Sequence, residues 1–185
     1  MRNLLDRLYG LSLWLAAISL LAIGCLVAVQ VFARITDRAM SLVGLVPYNL
    51  TILSLAEFAG YLLAAASFLA LAGTLRAGAH VRMTMVIDSL GPTARRVVDL
   101  AGLGLGAAFA GYMTWHSALL VRDSWVFGDV SGGVIAMKLA YPQTVMAIGL
   151  LVLTISFIDE FVTTIRHGRP SFAANERSAV AVDGN

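Results

Sequence analysis

Four long apolar stretches alternate with short polar segments along the chain. They cover approximately residues 11–33, 50–75, 97–121 and 139–163. A helix needs about 20 apolar residues to cross a bilayer, and each of the four stretches reaches that length. The pattern therefore predicts an all-α integral membrane protein with four transmembrane helices. We expect residues 1–170 to form the membrane domain and residues 171–185 to form a flexible, polar tail.

The first stretch could also belong to a cleaved signal peptide, because Arg2 and Arg7 precede it as a basic leader would. Its apolar run is longer than the ~7–15 residues of a signal peptide's hydrophobic region. We therefore interpret it as a retained helix.

Composition narrows the class of protein further. Of the 185 residues, 59% are hydrophobic and 13% are charged, whereas a soluble domain has about 25% charged residues. The single cysteine, Cys25, excludes an intramolecular disulfide and any site with several cysteines. The net charge of +2 is spread thinly, which argues against a nucleic-acid partner. The apolar composition instead predicts the lipid bilayer as a partner.

The predicted spans contain no set of residues typical of an enzyme or of a cofactor site. His116 is the only histidine within a span, whereas haem held by two histidines needs a pair at membrane depth. Neither a Ser/His/Asp set nor a metal-ligand spacing occurs in the spans. We therefore expect a protein that is not an enzyme and has no cofactor, metal or catalytic residue.

Lysine and arginine predict the orientation, because cytoplasmic loops are enriched in them. Four lie in the two loops that would share one side of the membrane: Arg34, Arg38, Arg122 and Lys138. Nine lie on the other side: Arg2, Arg7, Arg76, Arg82, Arg95, Arg96, Arg166, Arg169 and Arg177. Both termini are thus predicted to be cytoplasmic (N-in/C-in), as is a short interfacial segment between the second and third helices.

Glu57 is the acidic residue predicted at membrane depth. If its helix starts near Leu50, Glu57 lies about 10 Å along it. An unpaired carboxylate there costs about 2.5–3.5 kcal/mol, so it needs a partner. We predict a structural intramembrane ion pair between Arg34, at the end of the first span, and Glu57. A polar face would accompany the pair: Gln30, Ser54 and Tyr61. In the alternative interpretation, Glu57 is a proton or cation site.

Small residues recur four apart in the second and third spans, a spacing that lets helix backbones approach closely. The predicted packing positions are Gly60, Gly102, Gly106 and Gly111.

Several short segments together resemble one protein family. Val29-Gln30-Val31-Phe32-Ala33-Arg34 ends the first span, and Leu75-Arg76-Ala77-Gly78-Ala79-His80-Val81-Arg82 follows the second. Leu90-Gly91-Pro92-Thr93-Ala94-Arg95-Arg96 precedes the third span, and Tyr141-Pro142-Gln143 opens the fourth. Over roughly residues 5–170, their order resembles the small membrane subunit (DctQ type) of tripartite ATP-independent periplasmic (TRAP) transporters.

This resemblance implies a division of labour in a bacterial inner membrane. A periplasmic substrate-binding protein captures an organic anion, typically a carboxylate. A large multi-span membrane subunit carries the substrate and the coupling sodium. The small permease subunit is non-catalytic, scaffolds the large one and helps to dock the binding protein.

On this interpretation, two groups of residues are candidates for contacts with these partners. The cytoplasmic group comprises His80, Arg82, Asp88, Arg95 and Arg96, and the outer group comprises Asp123, Trp125 and Asp129. A competing hypothesis is a stand-alone small oligomeric transporter or channel that uses Glu57. It requires a polar path along one helix, for which only Ser54, Glu57 and Tyr61 provide a hint.

Overall fold

The computed structural model describes residues 2–47, 54–76 and 91–167. Its helices are α1 (Arg2–Leu42), α2 (Leu55–Arg76), α3 (Pro92–Phe127) and α4 (Ala140–His167). All four are long and apolar enough to cross a membrane. Within the described residues the one β contact is an isolated bridge between Val130 and Lys138. The prediction of an all-α protein with four such helices is confirmed.

The helices are longer than the apolar stretches that predicted them. α1 begins at Arg2 and continues to Leu42, so residues 35–42, expected in a loop, are helical. The polar residues Asp37 and Arg38 do not interrupt a helix, and the chain turns only near Gly44, which has a φ of 77°. α3 starts at a proline, which suits a first helical turn, and ends before the left-handed Gly128.

α1 and α2 pack side by side in opposite directions. Tyr9 packs with Ala72, and Ala16 packs with Ala65. Between these two contacts, the Ser12 hydroxyl donates a hydrogen bond to the carbonyl oxygen of Leu69. The two helices are therefore antiparallel, because the contacting residues rise in number along α1 and fall in number along α2.

α4 covers the other side of α2 and runs parallel to it. Val145 packs near Leu69, and Val152 packs with Ala72. α3 packs mainly on α4 and runs antiparallel to it. The hydroxyl oxygens of Thr114 and Thr154 lie 2.9 Å apart across that interface.

The helices thus form an open row in the order α1, α2, α4, α3. The main packing contacts follow this row, and at the terminal edge Tyr9 of α1 also packs with Val152 of α4. In the most apolar 18-residue stretch of each helix, 28% of the stretch is buried in α2 and 33% in α4. In the outer helices α1 and α3 the buried share is only 11% and 17%. Both faces of the row therefore present apolar side chains.

Gly149 lets α4 come close to the backbone of α2. A Cβ atom on Gly149 would lie 2.7 Å from the carbonyl carbon and oxygen of Phe68 in α2. Among the predicted packing positions, Gly106 faces Phe157 and Gly111 faces Thr154, both on α4. Gly60 and Gly102 instead have open space where a Cβ would stand, because the row gives each helix few neighbours.

The row has two edges. The loop edge is defined by the end of α1, the start of α2, the end of α3 and the start of α4. The terminal edge lies at the opposite ends of the same helices. Of the segments expected to contact partners, the one with His80, Arg82 and Asp88 lies outside the described residues.

Candidate functional site

A polar cluster lies at the loop edge and is formed by Ser54, Glu57, Tyr61 and Ser131. Glu57 is in the first turn of α2, and its Oε1 accepts a 2.7 Å hydrogen bond from the Tyr61 hydroxyl. The hydroxyls of Ser131 and Ser54 lie beside the same carboxylate. The N-terminal end of a helix carries a partial positive charge, which stabilises an acidic side chain there. Among the described residues, Glu57 therefore has several stabilising neighbours, none of which is a cation.

The cluster fastens the α3–α4 loop, residues 128–139, to the start of α2. The loop is closed by backbone hydrogen bonds from Ser131 to Met137 (2.8 Å) and from Leu139 to Asp129 (3.0 Å). The amide of Ile135 donates to the Oγ of Ser54 at 3.3 Å. Ser54 has a φ of 59°, a left-handed conformation that a non-glycine residue adopts at a cost. The loop contact compensates for part of that cost.

Gly133 brings the loop backbone against the carboxylate. A Cβ atom at this position would lie 2.7 Å from the Cδ of Glu57, so a side chain would displace it. The second oxygen, Oε2, is buried and makes no hydrogen bond of ordinary geometry with the described residues. The site is therefore shaped to hold the loop close to α2.

Arg34 is not brought to Glu57. It is exposed on α1, and the hydrogen-bonding neighbours described for Glu57 are Tyr61, Ser131 and Ser54. The register of α1 against α2 gives the physical reason. It places Glu57 level with Gly24, and Arg34 lies about 15 Å further along the helix at 1.5 Å per residue. Gln30, predicted on the same polar face, is buried.

The three predicted outer contacts all lie at the loop edge. Trp125 packs edge to face against Tyr141 with 5.8 Å between ring centroids. The Nζ of Lys138 lies 5.8 Å from the Trp125 ring, within the range of a cation–π contact. Asp129 accepts a 3.1 Å hydrogen bond from the Ser124 hydroxyl. Asp123 is exposed on the last turns of α3.

The terminal edge holds a line of buried polar residues that were not among the predicted site residues. Ser156, Glu160 and Thr164 follow one another at one-turn spacing on α4, and each is at most 2% exposed. Their spacing of four residues was the available signal. Nearby, the guanidinium of Arg96 donates a 2.7 Å hydrogen bond to the carbonyl oxygen of Ile165. Arg96 thereby joins α3 to the end of α4, and its neighbour Arg95 is half-buried.

These arrangements fasten helices and loops together. No group of three or more His, Cys, Asp or Glu side chains able to hold a metal ion occurs among residues 2–47, 54–76 and 91–167. The contacts of the described residues are therefore those of packing, hydrogen bonding and apolar surfaces.

Four helices that are long and apolar enough to cross a membrane, with polar clusters at the two edges of the row, are typical of a multi-pass membrane protein. The sequence model of the family described as "Tripartite ATP-independent periplasmic transporters, DctQ component" matches residues 45–167. This match covers more than half of the chain, which therefore belongs to the DctQ family, the small component of TRAP transporters. No curated protein matches the chain.

The family match confirms the resemblance found in the sequence. Members are subunits of a transporter and are not known as enzymes, which is consistent with a non-catalytic role. Membership also implies association with a large membrane subunit and a periplasmic binding protein.

Proposed function

We propose that the chain is the non-catalytic small permease subunit that scaffolds the large membrane subunit of a sodium-coupled importer. The imported solute would be an organic anion of the carboxylate class, delivered by a periplasmic binding protein. The complex would reside in a bacterial inner membrane. Both termini of the chain would be cytoplasmic, and the loop edge would be periplasmic.

The open row of helices is the observation that carries this proposal. A transporter that works alone must enclose its solute, and it needs helices on all sides of the path. This row leaves both faces uncovered, with exposed apolar residues such as Leu21 on α1 and Phe109 on α3. Large exposed apolar surfaces mark contacts with proteins or membrane. Such a layer suits a scaffold that lies against a larger membrane protein.

The polar cluster supports a structural role for Glu57. Its carboxylate bonds Tyr61 and lies against the α3–α4 loop, so the loop has a defined shape at the loop edge. On the proposed orientation, that edge faces the binding protein. We propose that Glu57 clamps this loop and that Asp123, Trp125 and Asp129 contribute outer contacts. Arg95 and Arg96 would contribute contacts on the cytoplasmic side, together with His80, Arg82 and Asp88.

Uptake in proteoliposomes tests this function. The full chain is purified with and without its large membrane subunit, and sodium-driven uptake of carboxylates is measured with the binding protein added. We expect uptake only when all three proteins are present. Glu57→Gln should weaken the docking of the binding protein more than co-purification with the large subunit. Uptake or ion flux by this chain alone would overturn the proposal and assign transport to Glu57.

The orientation has a separate test that uses the single cysteine. In a Cys25→Ser background, a cysteine is placed either at Asp123 on the loop edge or at Ala94 on the terminal edge. In intact cells, a membrane-impermeant maleimide should label the first variant. It should label the second only after lysis. The reverse pattern would contradict the N-in/C-in topology.

A further inference from the structure

An apolar groove of about 320 Å³ runs between α3 and α4 on one face of the row. Residues of both helices form its walls: Thr114, Ala118 and Val121 from α3, and Thr144, Ala147, Ile148 and Leu151 from α4. On each helix the lining residues span eight positions, or about 10 Å along the axis. The groove is therefore narrow and runs parallel to the helix axes.

The two threonines in the walls do not make the groove polar. The Thr114 hydroxyl donates to the carbonyl oxygen of Ala110 at 2.8 Å, and the Thr144 hydroxyl donates to that of Ala140 at 2.6 Å. Each hydroxyl is thus satisfied by its own helix, a common arrangement for threonine in apolar surroundings. The walls present methyl groups, so the occupant must be apolar along this length.

The groove ends at aromatic and cationic side chains on the loop edge. Trp125 lies one turn beyond Val121, and Tyr141 lies one turn before Thr144. The two rings pack against each other. Trp and Tyr favour the headgroup level of a bilayer. Lys138 is exposed and stacks on Trp125.

The charges around this end are arranged to attract an anion. Arg122 is exposed and follows Val121 directly in α3. At 100° per residue, Asp123 lies on the opposite side of α3 from the stripe that lines the groove. The carboxylate of Asp129 is engaged by Ser124. At this end of the groove Lys138 therefore stacks on Trp125, and Arg122 projects about a quarter-turn around α3 from the lining stripe, whereas Asp123 projects away from it.

We infer that this groove binds one acyl chain of an anionic phospholipid, whose phosphate is held at the loop edge by Lys138 and Arg122. The arrangement matches the parts of such a lipid in order: an apolar channel about 10 Å long, an aromatic pair at headgroup level, then two cations. A helix is about 10 Å wide, so a partner helix could insert only its side chains into a groove of this volume. Such a helix would have no need of the cations.

Quenching of tryptophan fluorescence by brominated lipids tests the site. The full chain carries Trp14→Phe and Trp115→Phe, two substitutions at exposed positions, so that Trp125 alone reports. It is placed in phosphatidylcholine nanodiscs that contain an equal fraction of phosphatidylglycerol, and either lipid is brominated on its acyl chains. Each basic residue near a membrane surface strengthens anionic lipid binding about five-fold. We therefore expect brominated phosphatidylglycerol to bind at Trp125 at least about five-fold more tightly than brominated phosphatidylcholine.

Matched variants separate a bound lipid from ordinary surrounding lipid. Arg122→Gln with Lys138→Gln should reduce the preference to about one, whereas Arg38→Gln, an exposed cation near the end of α1 on the same edge, should leave it unchanged. Ala147→Leu should fill the groove and reduce quenching by both lipids. Ala108→Leu, at an exposed position of α3 outside the groove, should not. A chain with Trp115 as its single tryptophan should show no headgroup preference.

Three outcomes would overturn the inference. Equal binding of the two lipids at Trp125 would identify ordinary surrounding lipid. A preference that survives loss of both cations would remove the proposed phosphate site. If the same measurement on the chain purified with its large subunit shows no quenching by either lipid, the groove is occupied by protein.

Discussion

The Tyr61 hydroxyl donates a 2.7 Å hydrogen bond to Oε1 of Glu57, one turn earlier in α2. This bond holds the carboxylate towards the α3–α4 loop, where Ser131 and Gly133 lie. Tyr61→Phe should therefore loosen the loop. A neutral hydrogen bond contributes about 1 kcal/mol, and one to a charged group contributes somewhat more. We expect the backbone amides of residues 131–137 to exchange about five-fold faster with deuterium.

The control for this experiment is Tyr112→Phe, because Tyr112 is exposed on α3 and packs against His116. It should leave exchange in the loop unchanged. Unaltered exchange in Tyr61→Phe would show that the loop does not depend on the carboxylate.

Two adjacent glycines in the loop should respond differently to alanine. A Cβ on Gly133 would meet the Glu57 carboxylate, whereas a Cβ on Gly132 has open space. Gly133→Ala should displace Glu57 and increase deuterium exchange at Ile135, whose amide bonds Ser54. Gly132→Ala should leave that amide protected. Similar effects of the two substitutions would count against close packing of the loop on α2.

Gly149 should be intolerant of any side chain. A Cβ there would lie 2.7 Å from backbone atoms of Phe68, which cannot move without shifting α2. Overpacking of this kind costs about 1–3 kcal/mol. Gly149→Ala should therefore lower the melting temperature of the purified protein in detergent by several degrees.

The matched control is Gly60→Ala, because Gly60 is also helical but faces open space. Alanine stabilises a helix by up to about 1 kcal/mol relative to glycine. This variant should melt at the same temperature or slightly higher. A fall in both variants would indicate that neither effect comes from helix packing.

Glu160 should matter more for folding than its neighbour Asp159. The Glu160 side chain is 2% exposed, whereas Asp159 is only half-buried. Removal of one member of a buried polar interaction costs about 3–5 kcal/mol when a charge is left unpaired. Glu160→Ala should sharply reduce the yield of folded protein in detergent, and Asp159→Ala should reduce it little. Equal yields would mean that the buried carboxylate is dispensable.

Sequence was sufficient for the number and nature of the helices, because the length of an apolar run limits what can cross a bilayer. Helix ends were harder to predict. Asp37 and Arg38 look like part of a loop, yet neither residue breaks a helix, so α1 extends to Leu42. The order in which the helices pack also could not be predicted from the spacing of small residues. Gly60 has the same spacing signal as Gly106, but only Gly106 has a neighbouring helix.

Local spacing identified one neighbour of Glu57, Tyr61, but not its contact with the α3–α4 loop. Tyr61 lies one turn away on the same helix and was visible in the sequence. Ser131 lies in the α3–α4 loop, far from Glu57 in the sequence. Its approach to the Glu57 carboxylate depends on the packing of α4 beside α2. The choice of Arg34 assumed that the ends of α1 and α2 were level. The actual register separates them, because α1 continues far past the start of α2.

Leu55, the first residue of α2, is level with Leu26 in the register between α1 and α2. From there α1 continues to Leu42, so about 24 Å of helix stands beyond the start of its neighbour. This part of α1 carries exposed apolar side chains such as Phe32. Among the described helices, the end of α1 is therefore offset along the helix axis from the start of α2. A partner that contacts both of these helix ends would therefore meet them at two different depths.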